Sequence, residues 1–100
     1  MFNIYILKCM QNTYYIGKTN LFNFTIKDYN NINEWTLQFK PIFIHKFFIN
    51  KNDDDLYNIT LKYMSIYGIH TVRSDIFNKY ILSELDIYTL KRNIQILVNK

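Results

Sequence analysis

Apolar residues at the start of the chain follow a pattern that predicts a β-hairpin. Residues 2–9 are largely apolar at both odd and even positions, which is typical of a central strand buried on both faces. Residues 10–12 then form a predicted turn, in which Asn12 tolerates left-handed backbone geometry. We expect Thr13 to Gly17 to be the antiparallel partner of the first strand.

A change to helical periodicity later in the chain predicts two longer helices. The first covers residues 53–67, where three aspartates suit the positive end of a helix and Gly68 suits its C-terminal end. The second covers residues 83–98 and starts at Ser83, with Asp86 placed as in a capping box. The predicted buried positions are Leu56, Ile59, Tyr63, Met64 and Tyr67 in the first helix, and Ile87, Leu90, Ile94, Leu97 and Val98 in the second, with Lys91, Arg92 and Asn93 on its outer side.

The segments between the hairpin and these helices carry weaker signals. Asn20 is placed to cap a short helix over residues 22–29. Residues 30–40 are predicted as a polar loop that carries Trp35. Aromatic and β-branched residues from Ile42 to Ile49 predict a third strand. If this strand lies at the edge of a sheet, its exposed side would seek a protein partner.

The order of these elements is strand, strand, helix, strand, helix, helix. This order predicts an α+β fold, in which helices flank a small three-stranded antiparallel sheet. Residues 72–74 are predicted to lie in the loop before the last helix. No linker or repeat divides the 100 residues, so we expect a single domain with its core in residues 1–70 and an extra C-terminal helix at 83–98.

The composition narrows the class of protein. Apolar residues make up 49% of the chain, yet no apolar run approaches the ~20 residues that span a bilayer. The N-terminus lacks the residue order of a signal peptide. The single Cys9 cannot form an internal disulfide and is expected to be a buried small apolar residue. These features predict an intracellular protein without a membrane segment.

The formal net charge of +4 permits nucleic-acid binding but supports it weakly. Lysines are spread along the chain from Lys8 to Lys100 rather than gathered in one run. The chain is also rich in Ile, Asn, Lys, Tyr and Phe, a bias that an AT-rich genome would impose on any protein.

Two short motifs carry a resemblance to a known family. Asn3-Ile4-Tyr5 and Tyr15-Ile16-Gly17, followed by Lys18-Thr19, resemble the signature of GIY-YIG nuclease domains. A branch of that family, the short GIY-YIG-like proteins of large DNA viruses, is similar in further segments: Trp35-Thr36, Phe39 to Ile42, Thr60 to Met64, Tyr67-Gly68-Ile69 and Val72-Arg73. The resemblance implies a three-stranded antiparallel sheet flanked by helices, and a location in the host cytoplasm, the host nucleus or the virion.

In active GIY-YIG domains, the motif tyrosines position or activate the water that attacks a phosphodiester, and a nearby basic residue assists. The resemblance therefore implies Tyr5, Tyr15 and Lys18 as catalytic positions. Apart from the resemblance, the cation and hydroxyl of Lys18-Thr19 suit a phosphate, so Lys18, Thr19 and Arg73 are predicted contacts to nucleic acid. An arginine on the first helix and a glutamate that binds a divalent metal complete the active set, since cleavage needs charge neutralisation and a Lewis acid.

The chain departs from the family at positions that this chemistry needs. Thr25 stands where the arginine is expected, Asn3 replaces the first glycine of the motif, and residues 53–67 contain no glutamate. Asp53, Asp54 or Asp55 is an alternative metal ligand, although capping of the helix explains these residues more simply. Tyr29 is placed like a further His or Tyr of the family's first helix.

Most of the candidate site residues also have a purely structural explanation. Tyr5 and Tyr15 are also explained as a cross-strand aromatic pair, and Arg73 as an ordinary surface arginine. His45 and His70 form no recognisable ligand set, so no zinc site is expected.

The motifs and the departures together predict a catalytically degenerate GIY-YIG-like domain that binds nucleic acid or protein. Such a domain would be a small structural or accessory protein of a large DNA virus, and no cofactor is expected. The alternative is a residual endonuclease that cleaves DNA with Mg²⁺ and Tyr5, Tyr15 and Lys18. Whether the chain forms oligomers remains open.

Overall fold

A four-stranded mixed β-sheet forms the centre of the protein. The computed structural model describes residues 1–30 and 32–99. The strands are β1 (Phe2–Cys9), β2 (Thr13–Thr19), β3 (Pro41–Lys51) and β4 (Val72–Ser74). The helices are α1 (Glu34–Gln38), α2 (Asp53–Tyr67) and α3 (Glu84–Val98), and short 3-10 turns cover Met10–Asn12, Ile26–Asp28 and Ile69–Thr71. The strand order is β3-β1-β2-β4, with β1 antiparallel to both of its neighbours and β4 parallel to β2.

The predicted α+β class is confirmed, whereas the prediction of a sheet with three antiparallel strands is wrong. The fourth strand is Val72–Ser74, a segment predicted as loop. It pairs with Tyr14–Ile16 of β2, and all three of its residues are buried. Three residues are too few to show an alternating pattern, and parallel pairing depends on a distant crossover, so no local signal marked this strand.

The N-terminal hairpin forms as predicted. β1 pairs with β2 so that Tyr5 lies opposite Gly17 and Leu7 lies opposite Tyr15. The turn between the strands holds two residues with positive φ, Gln11 and Asn12, and β2 continues two residues beyond Gly17. The predicted turn and strand pair are therefore confirmed.

The two faces of the sheet are buried by different parts of the chain. On one face, Ile4, Ile6 and Ile16 pack with residues of α2 and α3. On the other face, Tyr5, Leu7, Cys9, Tyr15 and Trp35 form a second core. The prediction that β1 is buried on both faces is confirmed, as is the burial of Cys9, whose pKa rises to about 12 because the thiol is removed from water.

Helix α2 begins and ends where the sequence predicts. The Asn52 side chain accepts a hydrogen bond from the Asp55 amide, and Gly68 follows the last turn with a φ of 104°. The predicted buried positions are partly wrong, because Tyr67 is exposed while Thr60 and Leu61 are buried. The buried stripe is wider than predicted because α2 packs on the sheet and on α3 at the same time.

Helix α3 also begins at its predicted cap, where Ser83 accepts a hydrogen bond from the Asp86 amide. Leu90 is buried, but Val98 is exposed, so its predicted burial is wrong. Asn93 was predicted to face outward and instead donates a hydrogen bond to the Tyr57 hydroxyl of α2 at 2.5 Å.

The segment between the hairpin and β3 differs most from the prediction. Residues 22–29 contain only the 3-10 turn Ile26–Asp28, because the Asp28 carboxylate accepts hydrogen bonds from the Thr25 amide and hydroxyl. The predicted loop at 30–40 contains α1, whose start is capped by the Asn33 side chain. Within the described residues, no helix is both long enough and apolar enough to cross a bilayer.

Candidate functional site

The motif tyrosines lie together on the sheet face opposite α2 and α3. Tyr5 and Tyr15 come from neighbouring strands, and the Tyr29 ring centroid is 6.1 Å from each of theirs. Phe24 stacks on Tyr5 at 4.4 Å. The predicted proximity of Tyr5 and Tyr15 is therefore confirmed, and both side chains lie within a buried aromatic core. Tyr5 is 3% exposed and Tyr15 is fully buried.

Gly17 is needed for the close packing of this cluster. A Cβ atom at this position would overlap the ring and hydroxyl of Tyr5, which lies opposite it in the sheet. The group that approaches the Gly17 backbone closely is therefore a side chain of the same chain. Because Gly17 has no side chain, the Tyr5 ring can pack directly on its backbone.

Asp75 completes the site, and sequence reasoning missed it. The Tyr15 hydroxyl donates to one Asp75 carboxylate oxygen at 2.5 Å, and the Lys18 amide donates to the other at 2.9 Å. The Asp75 amide in turn donates to the Ile16 carbonyl oxygen. Asp75 reaches β2 because it directly follows β4, so only the parallel pairing of these strands reveals its role. The one local signal was a lone aspartate after Val72-Arg73-Ser74.

The chemistry of the two tyrosines follows from their surroundings. Burial raises the pKa of both Tyr5 and Tyr15 well above the usual value of 10, and the negative charge of Asp75 raises it further. Both phenols therefore stay protonated at neutral pH. Tyr15 acts as a hydrogen-bond donor to Asp75, and neither tyrosine is suited to accept a proton from an attacking water.

These raised pKa values predict a loss of stability in alkali. The folded pKa lies above the unfolded value of about 10, so the stabilisation is complete below pH ~10 and decreases above it. We expect the free energy of unfolding to fall by up to about 1.4 kcal/mol per pH unit for each buried tyrosine. Urea unfolding from about pH 8 to about pH 11 measures this slope.

The matched variants for the alkaline series are Tyr15→Phe and Tyr88→Phe. Tyr88 is exposed on α3, so Tyr88→Phe should leave the dependence of the unfolding free energy on pH unchanged. Tyr15→Phe should make this dependence less steep, with the contribution of Tyr5 remaining. An equal slope in the wild type and in Tyr15→Phe would contradict a raised pKa for this residue.

Lys18 does not join the tyrosines through its side chain. It lies opposite Ile4 in the sheet, so its ammonium group points to the α2 face, where it sits 5.0 Å from the centre of the Phe2 ring. There it also forms an ion pair with Asp53 at 3.7 Å, and both side chains are substantially exposed. Such a pair contributes little to stability. Only the backbone amide of Lys18 belongs to the site.

The side chains of Thr19 and Thr25 form hydrogen bonds to residues close to them in the chain. The Thr19 hydroxyl accepts a hydrogen bond from the Leu21 amide at 3.2 Å. Thr25, at the position expected for the arginine, starts the short 3-10 turn that ends near Tyr29. Tyr29 donates a hydrogen bond to the Thr36 hydroxyl at 2.8 Å, which ties it to α1.

Arg73 is buried, so its interpretation as an ordinary surface arginine is wrong, whereas its predicted contact to nucleic acid stays a prediction. Its side chain donates to the carbonyl oxygens of Ile69, Val72, Lys79 and Tyr80. Its guanidinium carbon lies 4.4 Å from the centre of the Trp35 ring. Only 2% of the residue is exposed, and burial lowers its pKa to about 10, which leaves it charged at neutral pH.

The residues present do not fit the Mg²⁺ site of the endonuclease alternative. Both oxygens of Asp75 accept hydrogen bonds, and Asp55 exchanges hydrogen bonds with Asn52 at the start of α2. Asp53 lies beside Lys18 on the other face of the sheet. Among residues 1–30 and 32–99, no three His, Cys, Asp or Glu side chains are grouped to hold a metal ion. The capping role predicted for the aspartates is confirmed for Asp55.

The arrangement is thus a buried tyrosine cluster closed by a carboxylate. The pairing of β1 with β2 sets the relative positions of Tyr5, Tyr15 and Gly17. Asp75, the residue after β4, adds the carboxylate. The resemblance to GIY-YIG domains stays a prediction. In comparisons with protein-family models, curated proteins and solved structures, no match to this chain is found.

Proposed function

We propose that this chain is a non-catalytic binding module with a GIY-YIG-like scaffold, and that its ligand is a protein. The observation that carries the first part is the burial of Tyr5 and Tyr15, which are 3% and 0% exposed. A nucleophile or base must lie within about 3 Å of a reacting group, and a buried phenol cannot approach a phosphodiester.

The charges around the tyrosines support the same proposal. Asp75 places a carboxylate at the Tyr15 hydroxyl, where it would repel the phosphate of a substrate. The Lys18 ammonium group lies on the other face, and Arg73 donates its hydrogen bonds to backbone carbonyls. Neither Lys18 nor Arg73 is therefore placed to neutralise a pentavalent phosphate at this cluster.

The surface supports a protein ligand more than a nucleic acid. Strand β3 lies at the edge of the sheet, and Ile42, Phe43 and Ile49 are each half exposed or more on it. Apolar side chains on an unpaired edge are typical of a protein-binding surface. In a virus of the kind that the resemblance suggests, this chain would be a small structural or accessory component of the particle or of the infected cell.

The test of the proposed function is incubation with supercoiled plasmid DNA and Mg²⁺ or Mn²⁺. We expect no cleavage by the wild type, by Tyr15→Phe or by Asp75→Asn, because none of these residues can reach a phosphate. Nicked plasmid formed by the wild type and abolished in Tyr15→Phe would contradict the proposal and establish the endonuclease alternative. DNA binding with a steep dependence on salt would contradict the choice of a protein ligand.

A further inference from the structure

A groove of about 840 Å³ lies between β3 and α2, on the sheet face away from the tyrosine cluster. Its size falls within the range of pockets that hold ligands. The apolar part of its wall includes Phe48 from β3, Ile59 and Ile66 from α2, and Leu97 from α3. These side chains are exposed or half-buried, so the groove offers an apolar surface that the described chain itself leaves uncovered.

The rim of this groove is positively charged. Lys46 and Lys51 stand on β3, and Lys62 stands on α2. None of these lysines forms an ion pair with any residue in 1–30 or 32–99. The single acidic residue in the wall is Asp55, which is already bonded to Asn52 at the helix cap. The groove therefore presents an excess of positive charge around an apolar floor.

The groove borders an unpaired strand. β3 pairs with β1 along one side, and its other side is the edge of the sheet. The pairing of β3 with β1 shifts register at three places and is regular over Lys46–Phe48. Such irregularities restrict how long a strand can be added, so an added strand would be short and centred on this regular stretch.

We propose that this edge and groove bind an extended, acidic segment of a partner protein, with apolar residues between its acidic ones. This inference rests on the proposed function and names the partner's chemistry. Backbone hydrogen bonds to the outer side of β3 would hold the segment, as in β-augmentation. Side chains on the α2 side would alternate between the apolar floor and the lysines Lys46, Lys51 and Lys62.

Two other occupants fit less well. A second copy of this chain paired through β3 would bring Lys46 and Lys51 towards their own copies, and β3 contains no acidic residue to offset them. Single-stranded nucleic acid would need open aromatic rings for stacking. Of the two tyrosines in the groove, Tyr63 is 8% exposed. Tyr67 is 42% exposed, but its ring already packs against those of Tyr14 and Tyr63.

The experiment measures binding of a short fluorescein-labelled peptide, using anisotropy and the full chain. Every second residue of the peptide is threonine, and the residues between are alternately glutamate and valine, so that one face of the extended peptide carries both. We expect the wild type to bind it and Lys46→Glu/Lys62→Glu to bind at least about tenfold more weakly. The matched control is Lys27→Glu/Lys91→Glu, which changes the net charge equally at exposed lysines outside the groove. We expect this control to weaken binding by less than about threefold, because distant surface charges are screened.

Hydrogen exchange gives a second measurement. The outward-facing amides of β3 should gain protection when the peptide binds, because they become hydrogen-bonded. Failure of the wild type to bind, equal weakening by the two double variants, tighter binding of oligothymidine than of the peptide, or a dimer formed through β3 would each overturn the inference. If the peptide experiment fails and plasmid DNA is not cleaved, the proposal of a non-catalytic module still stands. Cleavage of the plasmid would overturn that proposal itself.

Discussion

We expect replacement of Arg73 by methionine to lower the free energy of unfolding by about 3 kcal/mol. The guanidinium group donates to four backbone carbonyls and packs on Trp35 inside the protein. Methionine would fill part of the volume but would leave these four carbonyl oxygens without their donor. The lost hydrogen bonds cost more than the neutral side chain regains from easier burial. Urea unfolding at neutral pH measures the loss.

Two variants control this prediction. Arg73→Lys keeps the charge but lacks the planar fork, so it should restore less than half of the loss. Arg92→Met removes an exposed arginine of α3 and should change the free energy of unfolding by less than about 0.5 kcal/mol. A loss below about 1 kcal/mol in Arg73→Met would show that water replaces the guanidinium as donor.

We expect Gly17→Ala to lower the free energy of unfolding by about 1–3 kcal/mol. The added methyl group would overlap the Tyr5 ring, on which Phe24 stacks at 4.4 Å. Because the ring is enclosed, it cannot move without disturbing the aromatic core around Tyr15 and Tyr29. Urea unfolding and the near-ultraviolet circular dichroism of the tyrosines would report the change together.

A double-mutant cycle identifies the cause of that loss. In a Tyr5→Leu background the methyl group has room, so Gly17→Ala should cost much less there than in the wild type. Lys18→Ala is the control in the same strand and should cost less than about 1 kcal/mol, since its ion pair with Asp53 is exposed. Equal costs in both backgrounds would show that backbone freedom at Gly17, rather than Tyr5, causes the effect.

Local patterns predicted the elements that depend on near neighbours. The hairpin followed from dense apolar residues on both sides of a polar turn, and its register placed Tyr5 opposite Gly17. Helix α2 followed from an apolar stripe between acidic residues and Gly68. The 3-10 turn near Thr25 was missed because the hydrogen bonds between Thr25 and Asp28 outweigh a weak helical preference there.

The features that decide the chemistry depend on distant residues. Arg73 was predicted at the surface, as arginine usually is, and is buried because four carbonyls converge on it from Ile69 to Tyr80. Asp75 lies 60 residues after Tyr15 and meets it only because β4 pairs with β2. The four carbonyls lie within seven residues of Arg73 but in short or irregular segments, and the Trp35 ring that it packs on is distant in sequence. Neither a short irregular segment nor a parallel crossover leaves a periodic pattern in the chain.

The sequence by itself determined the hairpin, helices α2 and α3, and the neighbourhood of Tyr5, Tyr15 and Gly17, because short-range periodicity and strand pairing specify them. Only the tertiary structure decided that Tyr15 donates to Asp75, that the Lys18 ammonium group points to the other face, and that lysines surround a groove beside β3. The physical reason is that burial and charge depend on which distant segments meet.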